Sequence, residues 1–540
     1  MAVTPTYPGV YISETASIPH GVVPATTNLT AIIGEFPKGS TTEAVLVSSW
    51  PEFVSLYGGL GPKSSNAAYA AYQFFLNGGI GAWIVRVAPI GAGTPATPAT
   101  ATIAPPNVAA ATLDLTASSP GSWATNTLVA TFQQSGPSAY PDADHVDLVI
   151  SNSSTNTTVE TVSGISAPAS TSGTAAVSAL QAQMAAAINA TATSVTAAPS
   201  KATKGTPSAT LQGGVDGAWD VPPQESAPVA DAGGAPPTPD ATPPKKLVTF
   251  ASAVDAELEP GARLDRIAPQ VFNLLCIPDL PWDAGTYATA QEFCAPRQAF
   301  ILVDPPQGQT GDSMASWAES FLGPDNVAGA TYFPWVQISD PVTQLPKLLP
   351  PSGTIAGVYA ATDVARGVWK APAGTTAALR GVSALESLVT DEISGQLNPA
   401  GVNCLRTFPL YGSVVWGART LAGSDLAGSA FKYVSSRRLA DFIEQSLSQS
   451  LRWAVFEPNG PALWSSVSVE VTSFMAGLFG QGAFAGGTAA AAYQVVCDAS
   501  TTSTLDQLAG VVNVNVSFAP VDPAEFVMLN ITIVAAAAAS

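Results

Sequence analysis

At 540 residues the chain is long enough for several domains, each able to bury its own core. Its net charge of -19 comes from a scarcity of basic residues, with only 11% of the chain charged, so Ser, Thr, Asn, Gly and Ala must cover much of the surface. Nothing in it resembles the clustered Lys and Arg that phosphate binding needs, which argues against a nucleic-acid partner.

The chain opens on a nearly uncharged stretch: its first 34 residues carry one charge, Glu14. Pro8-Gly9 is followed there by the extended run Val10, Tyr11 and Ile12, and residues 1–28 read as an N-terminal arm. No Lys or Arg precedes Lys38, and Pro5 and Pro8 come early, so a signal peptide is not expected. With no uninterrupted apolar run of membrane-spanning length either, the expectation is a protein made and kept in a cytoplasm, without membrane insertion.

Residues 29–90 alternate strand and helix, which reads as the first part of an α/β core. Strands are expected at Leu29–Gly34, Val45–Val47 and Trp83–Val87. The first of two short helices has capping-box spacing in Ser49 and Glu52, and the second runs from Asn66 to Leu76 before Asn77-Gly78-Gly79. Ala, Thr, Pro and Gly then dominate to about residue 112, and a Pro-rich stretch fills 221–244. Between them, strands at Leu128–Phe132 and Val146–Ile150 and a helix near Ala175–Ala190 suggest an inserted, mainly β surface domain over 91–245.

The α/β pattern resumes over 246–397, with strands expected at Val271–Ile277, Phe300–Val303 and Tyr332–Ile338 and helices around Thr286–Ala295 and Ser313–Leu322; both parts are expected to share one sheet. A last α+β unit spans 398–519, where Leu439, Phe442, Ile443, Leu447 and Leu451 recur at helical spacing, as do Trp464, Val467, Val471, Phe474 and Leu478. Residues 520–540 form a C-terminal arm. After Glu525 no charge remains, and in Phe526–Val534 the residues Val527, Leu529, Ile531 and Ile533 share one strand face. Such a segment needs an edge to pair with, either in its own chain or on a neighbouring subunit.

Catalytic chemistry finds little support. His20 and His145 are the only histidines, and neither lies beside a serine-hydrolase motif. Gly58-Gly59-Leu60-Gly61-Pro62-Lys63-Ser64 superficially suggests a phosphate loop, but Pro62 stands where the glycine before the lysine belongs. The four cysteines lie far apart and read as buried thiols rather than a zinc site or disulfides. No catalytic residue, cofactor or metal is assigned.

Separate blocks along the chain resemble the contractile tail sheath family. They are Tyr7-Pro8-Gly9-Val10-Tyr11, Gly34-Glu35-Phe36-Pro37-Lys38-Gly39, Phe74–Gly79 into Trp83–Val87, Leu211–Gly217, Val303-Asp304-Pro305-Pro306, Pro350-Pro351-Ser352-Gly353, Arg366–Gly374, Val415–Thr420, Tyr433–Arg438, Trp453–Asn459 and Phe518-Ala519-Pro520. The resemblance implies a subtilisin-like α/β core without protease activity, built from discontinuous segments. It also implies arms that add strands to neighbouring subunits, stacked hexameric rings around an inner tube, and baseplate and tail-terminator or cap proteins as partners. Energy stored at assembly would then drive contraction. A phage tail, a tailocin and an injection particle all fit, and a static surface-layer or fibre protein is the alternative.

Arg437 and Arg438 fall outside the apolar arc of the helix beginning near Ser435, with Lys432 just before it; an ordinary solvated face is the favoured reading, and contact with an acidic inner-tube surface is the alternative. The blocks at Pro350–Ser352 and Arg366–Gly374 are expected to be structural loops.

Overall fold

The apolar runs near 29–35 and 81–87 have no polar alternation, the pattern of strands covered on both faces. In the computed structural model they form β1 (Leu29–Glu35) and, after the edge strand β2 (Val45–Val47), β3 (Gly81–Val87), which pairs with β1 in parallel over seven residues. Helices α1 (Trp50–Tyr57) and α2 (Asn66–Leu76) lie between β2 and β3. Ser49 caps α1 by accepting from the Glu52 N–H, but the Glu52 carboxylate turns to the Ser48 N–H and hydroxyl, so the expected reciprocal capping box is displaced by one residue.

The structure describes residues 21–61, 64–89, 96–135, 144–153, 155–168, 171, 173–202, 204–216, 249–267, 271–323 and 326–525. These fall into two compact units. The larger comprises 28–364 and 372–432; the other comprises Ala365–Ala371 with the described residues up to 27 and from 433 onward.

Between β3 and the return of the core, the larger unit builds β4 (Thr100–Ile103), β5 (Leu113–Ala117), β6 (Leu128–Gln134), β7 (His145–Asn152), β8 (Thr157–Ser166), α3 (Thr174–Thr191), β9 (Val195–Pro199) and β10 (Ser208–Thr210). They make two antiparallel sheets, ordered β4-β5-β9 and β10-β6-β7-β8, around an apolar cluster of their own that includes Leu115, Phe132, Ile150, Met184 and Ile188. Alternation sets which residues face in: Leu128, Ala130 and Phe132 are buried, while Val129 and Thr131 between them are less so.

One arginine ties this insertion to the core. Arg86 on β3 is buried and donates to the carbonyls of Phe36 (2.7 Å), Gly39 (3.0 Å), Pro37 (3.2 Å) and Pro120 (2.7 Å). Burial lowers its pKa to about 10, and Asp216 opposes that shift. Five guanidinium N–H groups in a fixed fork suit several carbonyls where a lysine would not.

The chain then continues through α4 (Phe250–Glu257), β11 (Leu274–Cys276), α5 (Ala284–Cys294), β12 (Phe300–Val303), α6 (Gly311–Phe321), β13 (Gly329–Phe333), β14 (Val336–Ser339), β15 (Pro346–Leu349), α7 (Ser352–Arg366), β16 (Val382–Leu385), α8 (Asp391–Leu397), β17 (Asn403–Phe408) and β18 (Gly412–Trp416). Both halves share one eight-stranded sheet ordered β18-β17-β13-β12-β11-β1-β3-β2. Its six central strands are parallel, and β18 and β2 flank them antiparallel. Strands β17 and β18, which the sequence reading grouped with a unit starting at 398, extend this sheet.

Two expectations change. The single strand Tyr332–Ile338 is two: β13 ends at Phe333, Pro334 has no N–H to continue a ladder, and β14 enters a separate antiparallel sheet with β15 and β16. The supposed loop at Pro350–Ser352 instead leads directly into α7. That helix presses against α2, because a Cβ on Gly353 would lie 2.5 Å from Ala70 and one on Gly357 would lie 2.6 Å from Asn77. All four cysteines are buried thiols that form no disulfide.

In the other unit, α9 (Val434–Ser450) and α10 (Pro461–Gly480) precede α11 (Ala489–Ala492), β19 (Tyr493–Val496), α12 (Thr504–Leu508) and β20 (Asn515–Phe518). Leu439, Phe442 and Ile443 of α9 share an apolar cluster with Trp464, Val467, Val471, Phe474 and Leu478 of α10, so both expected stripes face the same core. Among the described residues α10 is the one helix long and apolar enough to cross a membrane by length and composition, and that cluster accounts for its apolar side.

Candidate assembly site

A subunit that joins others must present backbone or apolar surface that its own fold leaves open. In the unit containing α9, strands β19 and β20 pair antiparallel over four residues, Tyr493 with Phe518 through Val496 with Asn515. Among the described residues no third strand pairs with either. One face packs on the α9–α10 cluster through Tyr493, Val495, Val516 and Phe518. Two short strands are marginal alone, and this pair offers two outer edges.

Residues 21–27 and 519–522 both lie within this unit. Residues 21–27 run along α9: the Val23 N–H donates to the Ser450 hydroxyl at 2.9 Å, the Ala25 N–H to the Ser446 hydroxyl at 2.9 Å, and Arg438 donates to the Thr27 carbonyl at 2.8 Å. At the other end, Ala485 donates to the Ala519 carbonyl, and the Ser436 hydroxyl lies 3.2 Å from the Asp522 carboxylate. The predicted arm residues Val10, Tyr11, Ile12, Val527, Leu529, Ile531 and Ile533 lie outside the described residues.

The three cations proposed for tube contact have partners within the chain. Arg438 is 4% exposed and holds the Thr27 carbonyl, so it is no part of a solvated face. Arg437 lies 2.6 Å from Asp441 and 3.3 Å from Glu444. Burial works to lower the Arg437 pKa, but the two carboxylates outweigh it and raise it. Burial also pushes Asp441 up to about 6 despite Arg437. Lys432 contacts Asp425 at 2.7 Å, and the buried Arg419 reaches the same oxygen at 2.9 Å; the Lys432 hydrogen bond and Arg419 hold that carboxyl below its ordinary value. Apolar periodicity does not report charge pairs; the four-residue spacing of Arg437 and Asp441 was the sequence signal for theirs, and Lys432–Asp425 had none.

Catalytic-looking groups do meet in the larger unit. Asp304, just past β12, accepts from the Ser352 N–H at 2.9 Å and its hydroxyl at 2.6 Å, which caps α7. Burial pushes Asp304 up to about 7 and the nearby Cys276 thiol well above its usual value. Asp279 serves α2 likewise, accepting from the Glu35 and Ala67 N–H groups, and burial pushes it up to about 7. Through its two bonds from Ser352, Asp304 anchors the start of α7. His145 lies on β7 of the insertion, and His20 is outside the described residues. Among the described residues no group of three or more His, Cys, Asp or Glu is arranged to hold a metal ion.

Comparison with known proteins supplies the family. Residues 261–421 match the phage tail sheath protein central domain, and residues 427–534 match the phage tail sheath C-terminal domain. The chain belongs to the phage tail sheath family. The second match takes in Val527, Leu529, Ile531 and Ile533. A tail sheath protein of Vibrio phage KVP40 is 26% identical over 187 residues, 34% of this sheath-family chain and 26% of that relative's length.

Solved structures share the fold. The sheath complex of PVC, an extracellular contractile injection system, in its contracted state is 21% identical with TM-score 0.56, covering 98% of each chain. The contracted helical sheath of the anti-feeding prophage is 23% identical with TM-score 0.52, covering 98% of this chain and 99% of that one. A sheath tail protein from Listeria innocua is 14% identical with TM-score 0.60, covering 93% and 94%. The mixed α/β, multi-domain architecture is thus one that sheath proteins adopt.

Proposed function

We propose that this chain is a structural, non-enzymatic subunit of a contractile sheath. It polymerises as stacked hexameric rings around an inner tube protein and shortens to drive that tube through a target envelope. The observation that carries the reading is the β19–β20 pair, which no third strand joins among the described residues, in a unit whose family match continues into the uncharged segment after Glu525 that the sequence reads as a strand. Strands from the ends of neighbouring copies, centred on Val10–Ile12 and on Val527–Ile533, complete that sheet by edge addition. Such head-to-tail contact need not close, so it supports a helical polymer.

The core reads as subtilisin-like, with α7 starting at Ser352 as its long central helix and Asp304 capping it, and without peptidase activity. Baseplate and terminator or cap proteins are the partners at the polymer's ends. Assembly takes place in a bacterial cytoplasm, and the product is part of a phage tail or a released injection particle. Since Lys432, Arg437 and Arg438 are engaged within the chain, tube contact through them requires exchange of existing ion pairs for the first two and, for Arg438, of its hydrogen bond to the Thr27 carbonyl.

Electron microscopy of the purified chain expressed with its inner tube protein tests the reading. Long hollow tubes with six-fold symmetry are expected. Flat lattices would point to a static surface-layer protein, and monomers with peptidase activity would overturn the proposal.

A further inference from the structure

The root of the N-terminal arm packs Val22 and Ala25 against the α9–α10 cluster, and its main chain is held as well. Val23 is 70% exposed, yet its N–H is bound by Ser450; two residues on, the Ala25 N–H is bound by Ser446. Ser446 is itself fixed, since its hydroxyl donates to the Phe442 carbonyl at 2.6 Å and turns a lone pair towards the arm. The spacing explains the match. Serines four apart on a helix stand roughly 6 Å apart along its axis, and alternate residues of an extended chain advance roughly 6.6 Å. Pro24, which has no N–H to offer, falls between the two donors, so a slip of one residue would leave a serine without its partner. Arg438 then fixes the Thr27 carbonyl further along the same helix.

From this geometry we infer that Ser446 and Ser450 of α9 form a backbone-reading rail that, with Arg438, fixes the point from which the N-terminal arm departs. The inference rests on the sheath reading for its purpose, though not for its existence. Without the rail, residues 23–27 would add roughly 17 Å of slack to the tether between a subunit and whatever its arm pairs with. With it, displacement of the arm is passed directly to α9. The rail residues are positioning residues: they set the reach of the arm segment that follows.

Hydrogen exchange on the unassembled full chain tests the rail apart from the sheath. In the parent protein the Val23 and Ala25 amides should be protected. In the S446A/S450A variant both should exchange roughly tenfold faster, with amides within α9 and the melting midpoint unchanged. S446T/S450T, which keeps the hydroxyls, should restore protection. Unprotected amides in the parent, equal exchange in the alanine variant, or failure of the threonine variant to rescue would each overturn the rail. Electron microscopy of the alanine variant, where sheath forms, should show less regular subunit spacing. Failure of the parent to form sheath would overturn the polymer reading and leave the exchange result standing.

Discussion

The eight-stranded sheet and the β19–β20 pair solve the strand-edge problem in opposite ways. In the large sheet, six parallel strands are flanked by one antiparallel strand on each side, and the buried Arg86, Asp304 and Asn403 are met by partners within the chain. The pair β19–β20 has four-residue strands, a single apolar face on α9 and α10, and no further strand among the described residues. The contrast separates folding from joining. One region carries the larger core, while the other, on the proposed reading, is where neighbouring copies add strands.

That separation breaks most clearly at the C-terminal end. Deleting residues 526–540 should abolish sheath formation while leaving the melting midpoint of the unassembled chain nearly unchanged. Tubes of normal length from the truncated chain, seen by electron microscopy, would refute the division.

The reverse experiment targets Arg86. Arg86→Met removes the donors of four carbonyls and should cost about 3 kcal/mol in thermal or chemical unfolding, loosening the insertion, with less effect on assembly of whatever protein remains folded. A smaller insult is Gly357→Val, which forces side-chain bulk against Asn77 and Phe74 where α7 meets α2. It should cost roughly 1–3 kcal/mol in the same measurement.

The smallest effect is a pH dependence. Asp279 and Asp304 titrate near 7 in the folded chain because burial disfavours their charged forms, against an ordinary value of 3.8. The folded chain therefore keeps protons that the unfolded chain has released, and stability should increase as pH falls from 8 towards 5. Carboxyls held below their ordinary value, such as Asp425, withdraw their contribution only at lower pH. Calorimetry should show a midpoint a few degrees higher at pH 5.5 than at pH 8. Asp304→Asn should reduce the rise, and a midpoint that falls steadily over that range would refute the assignment.

Much of the local structure was legible in the sequence. Val45–Val47, Asn66–Leu76 and Phe300–Val303 form the elements their residues call for, and the stripes on α9 and α10 face one core. Continuous apolar runs and 3.6-residue spacing are local signals, decided by burial on both faces or on one. The candidate site was less readable. Ser446 and Ser450 look like ordinary helix-surface serines until residues 21–27 are laid beside them, and Arg438 looks solvated until Thr27 meets it.

The sequence by itself determined an acidic, several-domain α/β chain with nearly uncharged ends, and its ordered blocks pointed to the sheath family. Only the tertiary structure decided that Tyr332–Ile338 divides between two sheets, that Asp304 caps the helix starting at Ser352, and that the arm's root lies along α9. Each of these joins residues far apart in the chain. Pattern along a sequence records which groups need partners, and folding in three dimensions chooses the partners.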